Sequence, residues 1–563
     1  MYRHSVAITL VALAGVLSMA MAQAVDAARR TETPIEHLIV IVGENISFDN
    51  LFATYMPPRG QSVGNLLSRG IVDKNGGPGP RFANAVQRIA NVRDHYAVTP
   101  PTAGAFAFLP QPGTTYATGL SRGARDVRFP ADLPNGPYRI TRYAAYHSPV
   151  GDPVHRFFQM WQQINGGKHD LFTWVGVSDV SRQRDDPFLG ENQGGVAMGF
   201  YSMSSGDAPY FRELAENYAL ADNYHQPIMG GTAANFLALS TGYVGVYLGV
   251  GESAIPPQNQ VEDPDPRLGT NNSYKRWGAY TACADDDQPG VKAVRAYLAT
   301  LPYKPFKNGN CALGTYYLIN NYEPGYAFDG TPRALGPQSY TLPPQAAANI
   351  GTLLATNHIS WKWYSGGRTA AGIDKGLYCS ICDPLTHSTA VMTSELRANL
   401  QSLQNLMHDL DAKTLPSVSF VIPPNPESGH PAYSTVAAFE RFVKEVVTKV
   451  QGVPAIWNKT AILVTTDEGG GYYDSGYVQI LDFFGDGTRI PFLVVSPFAR
   501  KGHIDHTYYD HVSILKFIER NWRLPTLSER SRDNLPNPVM SGSDPYVPVN
   551  RPAIGDLMNL FKF

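Results

Sequence analysis

Five short runs of apolar, largely β-branched residues constrain the fold of this chain more than any other feature. Each run ends abruptly in polar or glycine-rich sequence, and the runs occupy residues 37–42, 219–224, 417–422, 461–466 and 491–496. Their apolar character is continuous rather than alternating, which is typical of strands that are buried on both faces. The sequence therefore predicts a mainly parallel sheet.

Helical patterns lie between these runs. From Ser434 to Val450 the apolar residues recur at three- and four-residue steps, and Ser434 is a candidate N-cap. A second run of this kind extends from His511 to Trp522. Strands that alternate with helices predict an α/β fold in which helices sandwich a mainly parallel central sheet.

Polar clusters follow four of the predicted strands. They are Glu44 with Asn45, the turn formed by Gly230, Gly231 and Thr232, the loop residue His430, and Asp467 with Glu468. In open parallel sheets, ligands bind beyond the carboxyl ends of the strands. Four clusters that converge on one edge of the sheet indicate a functional site there more strongly than any one cluster alone.

Two of these clusters carry candidate metal ligands. Asp467 and Glu468 are adjacent carboxylates, which repel each other unless a cation lies beside them. Three glycines follow them and allow a tight turn or a close approach to a ligand. Glu44 and Asn45 pair a carboxylate with an amide oxygen, a combination that suits a hard cation. Taken singly, each pair also fits a helix-capping role in a surface loop.

Thr232 is the candidate nucleophile. It follows two glycines and precedes a segment that can start a helix, so that backbone N–H groups there would point at an anion. A threonine hydroxyl needs a metal or a base for activation at neutral pH. The structural alternative is an ordinary N-cap threonine.

Three histidines are candidates for proton transfer or for neutralising charge in a transition state. His155 precedes a helical stretch, and His387 and His430 lie in loops rich in proline and serine. Each of them taken alone also fits a structural role.

The charge balance gives no electrostatic reason to expect nucleic acid or an anionic membrane surface as a partner. The formal charge is −2, and charged residues make up 17% of the 563 residues. The 52 glycines and 44 prolines predict long ordered loops, where functional sites tend to lie. Residues 251–345 lack clear periodicity, and we interpret them as an insertion that walls or covers the site.

The first 27 residues are typical of a secretory signal peptide. Arg3 precedes an apolar run over residues 6–19, and small residues follow up to Ala27. The run is too short for a comfortable membrane span, although a retained anchor is the alternative. We expect a mature catalytic domain over residues 28–563, without a transmembrane anchor, in the periplasm or outside the cell.

Four cysteines fit export to an oxidising compartment and allow three disulfide connectivities. Pairing of nearest neighbours gives Cys283 with Cys311 and Cys379 with Cys382, and this is our prediction. The spacing of Cys379 and Cys382 also fits a redox dithiol or half of a zinc site.

Several motifs resemble one known family in collinear order. Residues 44–49 read Glu-Asn-Ile-Ser-Phe-Asp and look like the Glu-Asn-Arg-Ser-Phe-Asp motif of the bacterial phosphoesterases, a family of acid phosphatases and non-specific phospholipases C. The resemblance continues through residues 222–224, 231–235, 316–322, 359–364, 466–470 and 489–497. It therefore covers nearly the whole mature chain.

The resemblance implies the α/β sandwich of the alkaline phosphatase superfamily. It places one divalent metal ion on Glu44, Asn45, Asp467 and Glu468, and the nucleophile on Thr232. It also implies active-site histidines at His155, His430 and His387. The acid phosphatases often show two consecutive histidines where this chain has Thr386 and His387. His511 matches a family position to which we assign no role.

Two departures favour the acid phosphatase branch over the lipases. Where many phospholipases C show Asp-His-Val after the Asp-Glu pair, residues 474–476 read Asp-Ser-Gly, and Ile46 replaces their arginine. The prediction is an exported phosphatase that cleaves small phosphomonoesters through a phosphothreonine. The alternatives are a phospholipase C acting at phospholipid headgroups and an exported binding protein without catalysis. Oxygen ligands favour calcium, magnesium or manganese, and nearby imidazoles would also suit zinc. The sequence leaves the oligomeric state open.

Overall fold

The computed structural model describes residues 31–91, 95–113, 125–178, 193–248, 254–264, 278–307 and 311–563. The predicted signal peptide, residues 1–27, lies outside the described residues, as do parts of the predicted insertion at 251–345. In the described part, no helix is both long enough and apolar enough to cross a membrane.

An eight-stranded sheet forms the centre of the described chain. Its strands are β1 (His37–Gly43), β2 (Ala219–Ala221), β3 (Trp361–Ser365), β4 (Leu400–Ser402), β5 (Val418–Ile422), β6 (Thr460–Thr466), β7 (Phe492–Val495) and β8 (His503–Asp505). They lie side by side in the order β4-β3-β5-β1-β6-β7-β2-β8. The first five strands in this order pair in parallel, as do β2 and β8, whereas β7 runs antiparallel to both of its neighbours. The predicted mainly parallel sheet is confirmed.

Twelve α-helices surround the sheet in the described ranges. They are α1 (Phe48–Phe52), α2 (Phe157–Ile164), α3 (Phe172–Ser178), α4 (Pro209–Asn217), α5 (Thr232–Thr241), α6 (Val291–Ala299), α7 (Ile350–Thr356), α8 (Thr389–Met392), α9 (Leu403–Ala412), α10 (Val436–Gln451), α11 (Pro454–Trp457) and α12 (Val512–Trp522). The remaining strands of the described part form six two-stranded sheets: Arg88–Ala90 with Thr102–Ala105, Tyr138–Arg139 with Gly199–Phe200, Tyr224–His225 with Tyr509–Asp510, Tyr280–Thr281 with Tyr317–Leu318, Arg368–Thr369 with Gly372–Ile373, and Met540–Ser541 with Asp544–Pro548.

Strand β1 shows why its sequence is apolar throughout. Ile39 and Ile41 belong to one apolar core, which also contains Phe439 of α10. Leu38 and Val40 belong to a second core, together with the helices α5, α7 and α12. Successive side chains of a strand point to opposite faces, so helices cover both sides of the sheet and each face needs its own apolar set. The predicted α/β sandwich is confirmed.

The N-cap prediction for the long helix was wrong by one residue. Thr435 caps α10 and accepts a hydrogen bond from the backbone N–H of Ala438 at 3.1 Å. The hydroxyl of Ser434 instead accepts from the N–H of Gly429 and donates to the carbonyl of Pro426. It therefore fixes the preceding loop, in which His430 lies.

Both predicted disulfides are confirmed. Cys283 is bonded to Cys311, and Cys379 is bonded to Cys382.

Candidate active site

The ends of β1 and β6 bring the two acidic clusters together. The strands are parallel neighbours in which Gly43 lies opposite Thr466, so that both chains leave the sheet at the same level. The backbone N–H of Asn45 donates to Oδ1 of Asp467 at 3.1 Å, and the N–H of Asp467 donates to the carbonyl of Gly43 at 3.0 Å. The predicted convergence at the sheet edge is therefore present in the structure.

Gly470 permits this close approach. Its φ of 59° lies in the left-handed region, and a Cβ at this position would come within 2.7 Å of the Cβ of Asn45. Glycine is thus needed at position 470 because the backbone there passes directly over Asn45.

The site concentrates negative charge away from water. Glu44, Asp467 and Glu468 are all buried. Burial raises the pKa of Asp467 to about 7. Burial, followed by repulsion from Asp467 and Asp152, raises the pKa of Glu44, and burial with repulsion from the same two carboxylates and Glu44 raises the pKa of Glu468. Among the described residues, no lysine or arginine forms an ion pair with these three carboxylates, which is the electrostatic situation that a cation relieves.

The donor set fits a hard cation. Within the described residues, Oδ1 of Asn45, Oδ2 of Asp467 and Oε2 of Glu468 are buried and have no hydrogen-bond partner. Buried polar atoms without partners are rare and call for an explanation such as an ion. All three atoms are oxygen acceptors of the kind that calcium, magnesium and manganese prefer.

His430 orients the amide of Asn45. Its Nδ1–H donates to the carbonyl of Pro431 at 2.6 Å, and its Nε2 accepts from the amide nitrogen of Asn45 at 3.0 Å. The ring stacks on Tyr433 with centroids 4.3 Å apart. Burial lowers the pKa of His430 to about 3, so the imidazole is neutral. With its nitrogen engaged, the amide leaves its oxygen for another partner.

Thr232 is the first residue of α5, and Gly231 is its N-cap. The Thr232 hydroxyl donates to Oε1 of Glu468 over 3.5 Å, and the residue is only 2% exposed. A Cβ on Gly231 would meet the side chain of Asn321 at 2.4 Å, which explains the glycine before the helix. Asn321 accepts the N–H of Ala233 at 2.9 Å. One of the predicted anion-binding N–H groups is thus already engaged by the side chain of Asn321.

His155 lies on the other side of the same carboxylate. Its Nε2 is 3.9 Å from Oε1 of Glu468, the atom that Thr232 also contacts. Its Nδ1 donates to the carbonyl of Pro153 at 2.7 Å and lies 3.6 Å from Asp152. The imidazole is therefore held with Nε2 directed toward the Thr232 and Glu468 pair.

His387 is not brought into this hydrogen-bonded cluster. It ends a short 3-10 helix, Pro384–His387, and burial lowers its pKa to about 3. In the part of the chain that the structure describes, neither ring nitrogen has a hydrogen-bond partner. A catalytic role for His387 remains a prediction without a contact to support it.

Asp152 and Asn321 were missed by the sequence analysis. Asp152 lies three residues before His155, a spacing that could have signalled a carboxylate beside the imidazole. Asn321 belongs to the predicted insertion, and its neighbour Asn320 accepts the N–H of Phe157 at the start of α2. Asn321 lies within residues 316–322, a segment that the family resemblance includes, and this was the available signal although the segment has no periodicity.

His511 contacts the main chain of Asp467, one of the predicted metal ligands. Its Nε2 is 2.8 Å from the main-chain carbonyl of Asp467, and the hydroxyl of Tyr224 donates to its Nδ1 at 2.9 Å.

We expect His511→Phe to weaken cation binding by about 10- to 100-fold, as is common when a residue that orients a ligand is removed. Calorimetric titration of metal-stripped protein measures this change. His408→Phe, at an exposed histidine, is the control, and an unchanged affinity in His511→Phe would exclude the anchoring role.

A model described as the phosphoesterase family matches residues 35–525. The non-hemolytic phospholipase C of Burkholderia pseudomallei is 24% identical over 96% of this chain, which spans 61% of that relative's length. A probable acid phosphatase of Kluyveromyces lactis is 27% identical over 38% of this chain and 52% of its own length. A solved structure from Vibrio parahaemolyticus, described as a protein in the alkaline phosphatase superfamily, is 11% identical with a TM-score of 0.26, covering 55% of this chain and 59% of that one.

Proposed function

Because this chain belongs to the phosphoesterase family, whose model spans residues 35–525, we propose that it is an exported, metal-dependent phosphatase acting on small phosphomonoesters. Thr232 is the nucleophile, and Glu44, Asn45, Asp467 and Glu468 hold one divalent cation. The proposal includes export to the periplasm or beyond the cell, as the first 27 residues predict.

One observation carries the proposal. A hydroxyl at the start of a helix lies 3.5 Å from a buried carboxylate, beside three oxygen acceptors that lack partners in the described chain. A bound divalent cation would make the Thr232 hydroxyl more acidic and neutralise charge on the phosphate. The positive end of the α5 dipole favours the same anion.

The residues of the chain divide the remaining work. Thr232 attacks phosphorus in line, forming the Oγ1–P bond while the bond from phosphorus to the leaving alcohol breaks. His155, whose Nε2 faces the Thr232 and Glu468 pair, takes the hydroxyl proton, while the departing oxygen on the opposite side of phosphorus takes a proton from water. His430 keeps the amide oxygen of Asn45 directed at the cation site. Water then hydrolyses the phosphothreonine and restores the hydroxyl.

Burial of Thr232, the proposed nucleophile, favours a small substrate. Thr232 and its carboxylate partners are nearly inaccessible, so a compact phosphate group fits the approach better than a lipid interface does. The phospholipase C alternative is favoured by the Burkholderia relative, which aligns with 96% of this chain. The binding-protein alternative is disfavoured because the proposed nucleophile and ligands are all present and contact one another.

A chromogenic phosphomonoester tested beside its phosphorylcholine diester separates these functions. Metal-stripped protein is reloaded with calcium, magnesium, manganese or zinc in turn, and thermal unfolding reports binding independently of turnover. We expect cation-restored hydrolysis mainly of the monoester, and loss of both responses in Glu468→Gln. Dominance of the diester would transfer the assignment to phospholipase C. A thermal response to cations without hydrolysis of either ester would favour a binding protein.

A further inference from the structure

A disulfide lies against one of the proposed metal ligands. The Sγ atom of Cys382 is 2.7 Å from Oε1 of Glu44. The sulfur atoms of Cys379 and Cys382 and a carboxylate oxygen of Glu44 all lie within 4.8 Å of one another. A disulfide sulfur has no proton to donate and is a poor ligand for a cation. In its oxidised form this cluster therefore contributes no ligand beyond Glu44.

The loop that carries the two cysteines is held in place by other contacts. Asp383 accepts two hydrogen bonds from the guanidinium of Arg368, at 3.0 and 2.6 Å, and one from the hydroxyl of Tyr378 at 2.9 Å. All three side chains are buried. These charge-assisted bonds flank the cysteine pair, so opening the disulfide would leave both sulfurs close to their present positions.

The disulfide closes a very short loop. Its cysteines are three residues apart, whereas Cys283 and Cys311 are 28 apart. Restriction of the unfolded chain grows with loop length, so the Cys379–Cys382 bond contributes less to stability than the other bond does. The Cys379–Cys382 bond therefore adds little stability as a cross-link, and it contacts Glu44, a proposed metal ligand. Both observations are compatible with a role other than stabilisation.

We propose that reduction of Cys379–Cys382 creates a second cation site, in which two thiolates and Glu44 bind zinc. Thiolate sulfur and carboxylate oxygen are both zinc ligands, and two cysteines separated by two residues have the spacing of zinc sites. Water completes the four-coordinate shell. The inference rests on the proposed function only in that Glu44 is shared with the cation site beside Thr232.

The chemistry requires a dithiol reductant. One thiolate of the dithiol attacks the sulfur of Cys379, which is partly exposed, and Cys382 leaves as a thiolate. The second thiolate of the dithiol then displaces Cys379 and closes the reductant into a cyclic disulfide. Two electrons pass to the protein, and each cysteine gains a proton that zinc later releases. Sharing Glu44 means that zinc in the reduced site withdraws a ligand from the proposed hydrolytic centre.

Cobalt binding to the full chain tests the second site without reference to turnover. After reduction, a thiolate-to-cobalt charge-transfer band is expected in the wild type and in Cys283→Ser/Cys311→Ser, which lacks the long-loop disulfide. The band should be absent from Cys379→Ser/Cys382→Ser and from oxidised protein. Glu44→Gln should keep the band but weaken competing zinc at least about tenfold, because one ligand is lost.

Thiol counting and thermal unfolding show that each reduced protein is folded and carries the expected free cysteines. If a serine variant fails to fold, alkylation of reduced wild type replaces it and should also remove the band. Absence of the band from folded Cys283→Ser/Cys311→Ser with two free thiols would overturn the proposal. Zinc affinity unaffected by Glu44→Gln would overturn the sharing of Glu44. The band with no hydrolysis under any condition would sink the proposed function alone, and hydrolysis without the band would sink this inference alone.

Discussion

Thr232→Ala is expected to lower phosphomonoester turnover by about three orders of magnitude or more, since removal of a nucleophile leaves only binding and electrostatic contributions. The fold should survive, because Gly231 rather than Thr232 caps α5 and the lost hydroxyl bond to Glu468 is long at 3.5 Å. Thr232→Ser should retain turnover within about tenfold, as it keeps an oxygen nucleophile. Acid-quenched wild-type protein should carry one phosphoryl group on residue 232.

Thr241→Ala is the matched control for this change. It removes a hydroxyl from the other end of the same helix, where Oγ1 donates to the carbonyl of Leu237 at 2.8 Å. We expect normal turnover and a loss of about 1 kcal/mol in the free energy of unfolding. A Thr232→Ala protein within tenfold of wild-type turnover would eliminate the phosphothreonine mechanism.

Arg489→Met is expected to cost about 3–5 kcal/mol in the free energy of unfolding, since it leaves buried carboxylates without their cation. The guanidinium is fully buried and donates to Asp474 at 3.0 and 2.9 Å and to Asp49 at 3.2 Å. Burial alone would raise the pKa of Asp474. The charge of Arg489 and the hydrogen bonds that Asp474 accepts outweigh this effect and hold the pKa of Asp474 below its usual range. The pKa of Asp49 is nevertheless raised to about 6 by burial and by Asp474.

Denaturant unfolding monitored by tryptophan fluorescence measures the loss. Arg441→Met is the control, because Arg441 pairs with Glu427 at the surface and such exposed pairs contribute about 0–1 kcal/mol. We also expect Arg489→Met to lower turnover, since the guanidinium lies 4.6 Å from the ring centre of Phe48, and Phe48 belongs to the motif that begins at Glu44. Stability equal to wild type would show that the two carboxylates are neutral in the native state.

The sheet and the meeting of polar residues at its edge were predictable because they depend on local composition. The run 461–466 carries no charged residue and is buried at every position, as expected of a strand covered on both faces, and charge begins at the first residue beyond the sheet, Asp467. Parallel neighbouring strands end at the same level, so the polar residues that follow them lie close together. The order of the strands was not predictable from these runs.

Side-chain partners chosen by tertiary contact were beyond the sequence. The apolar pattern of residues 491–496 gave no sign that β7 runs antiparallel. A strand that is buried on both faces has the same continuous apolar pattern whether it runs parallel or antiparallel to its neighbours. Asn321 reaches the start of α5 across 88 residues of chain. The position of Ser434 was misjudged because it and Thr435 are both good N-caps, and the loop containing His430 determines which one is used.

The candidate site is assembled from segments that are far apart along the chain. The hydrogen bond from Asn45 to Asp467 joins residues 422 positions apart, and Thr232 lies between them in sequence. Contacts of such long range form late in folding, because much of the chain must be ordered before they can be made. A chain that ends before β6 therefore contains the proposed nucleophile, Thr232, and only Glu44 and Asn45 of the four proposed metal ligands. Hydrolytic competence thus becomes a property of the finished molecule alone, and no folding intermediate lacking β6 can express it.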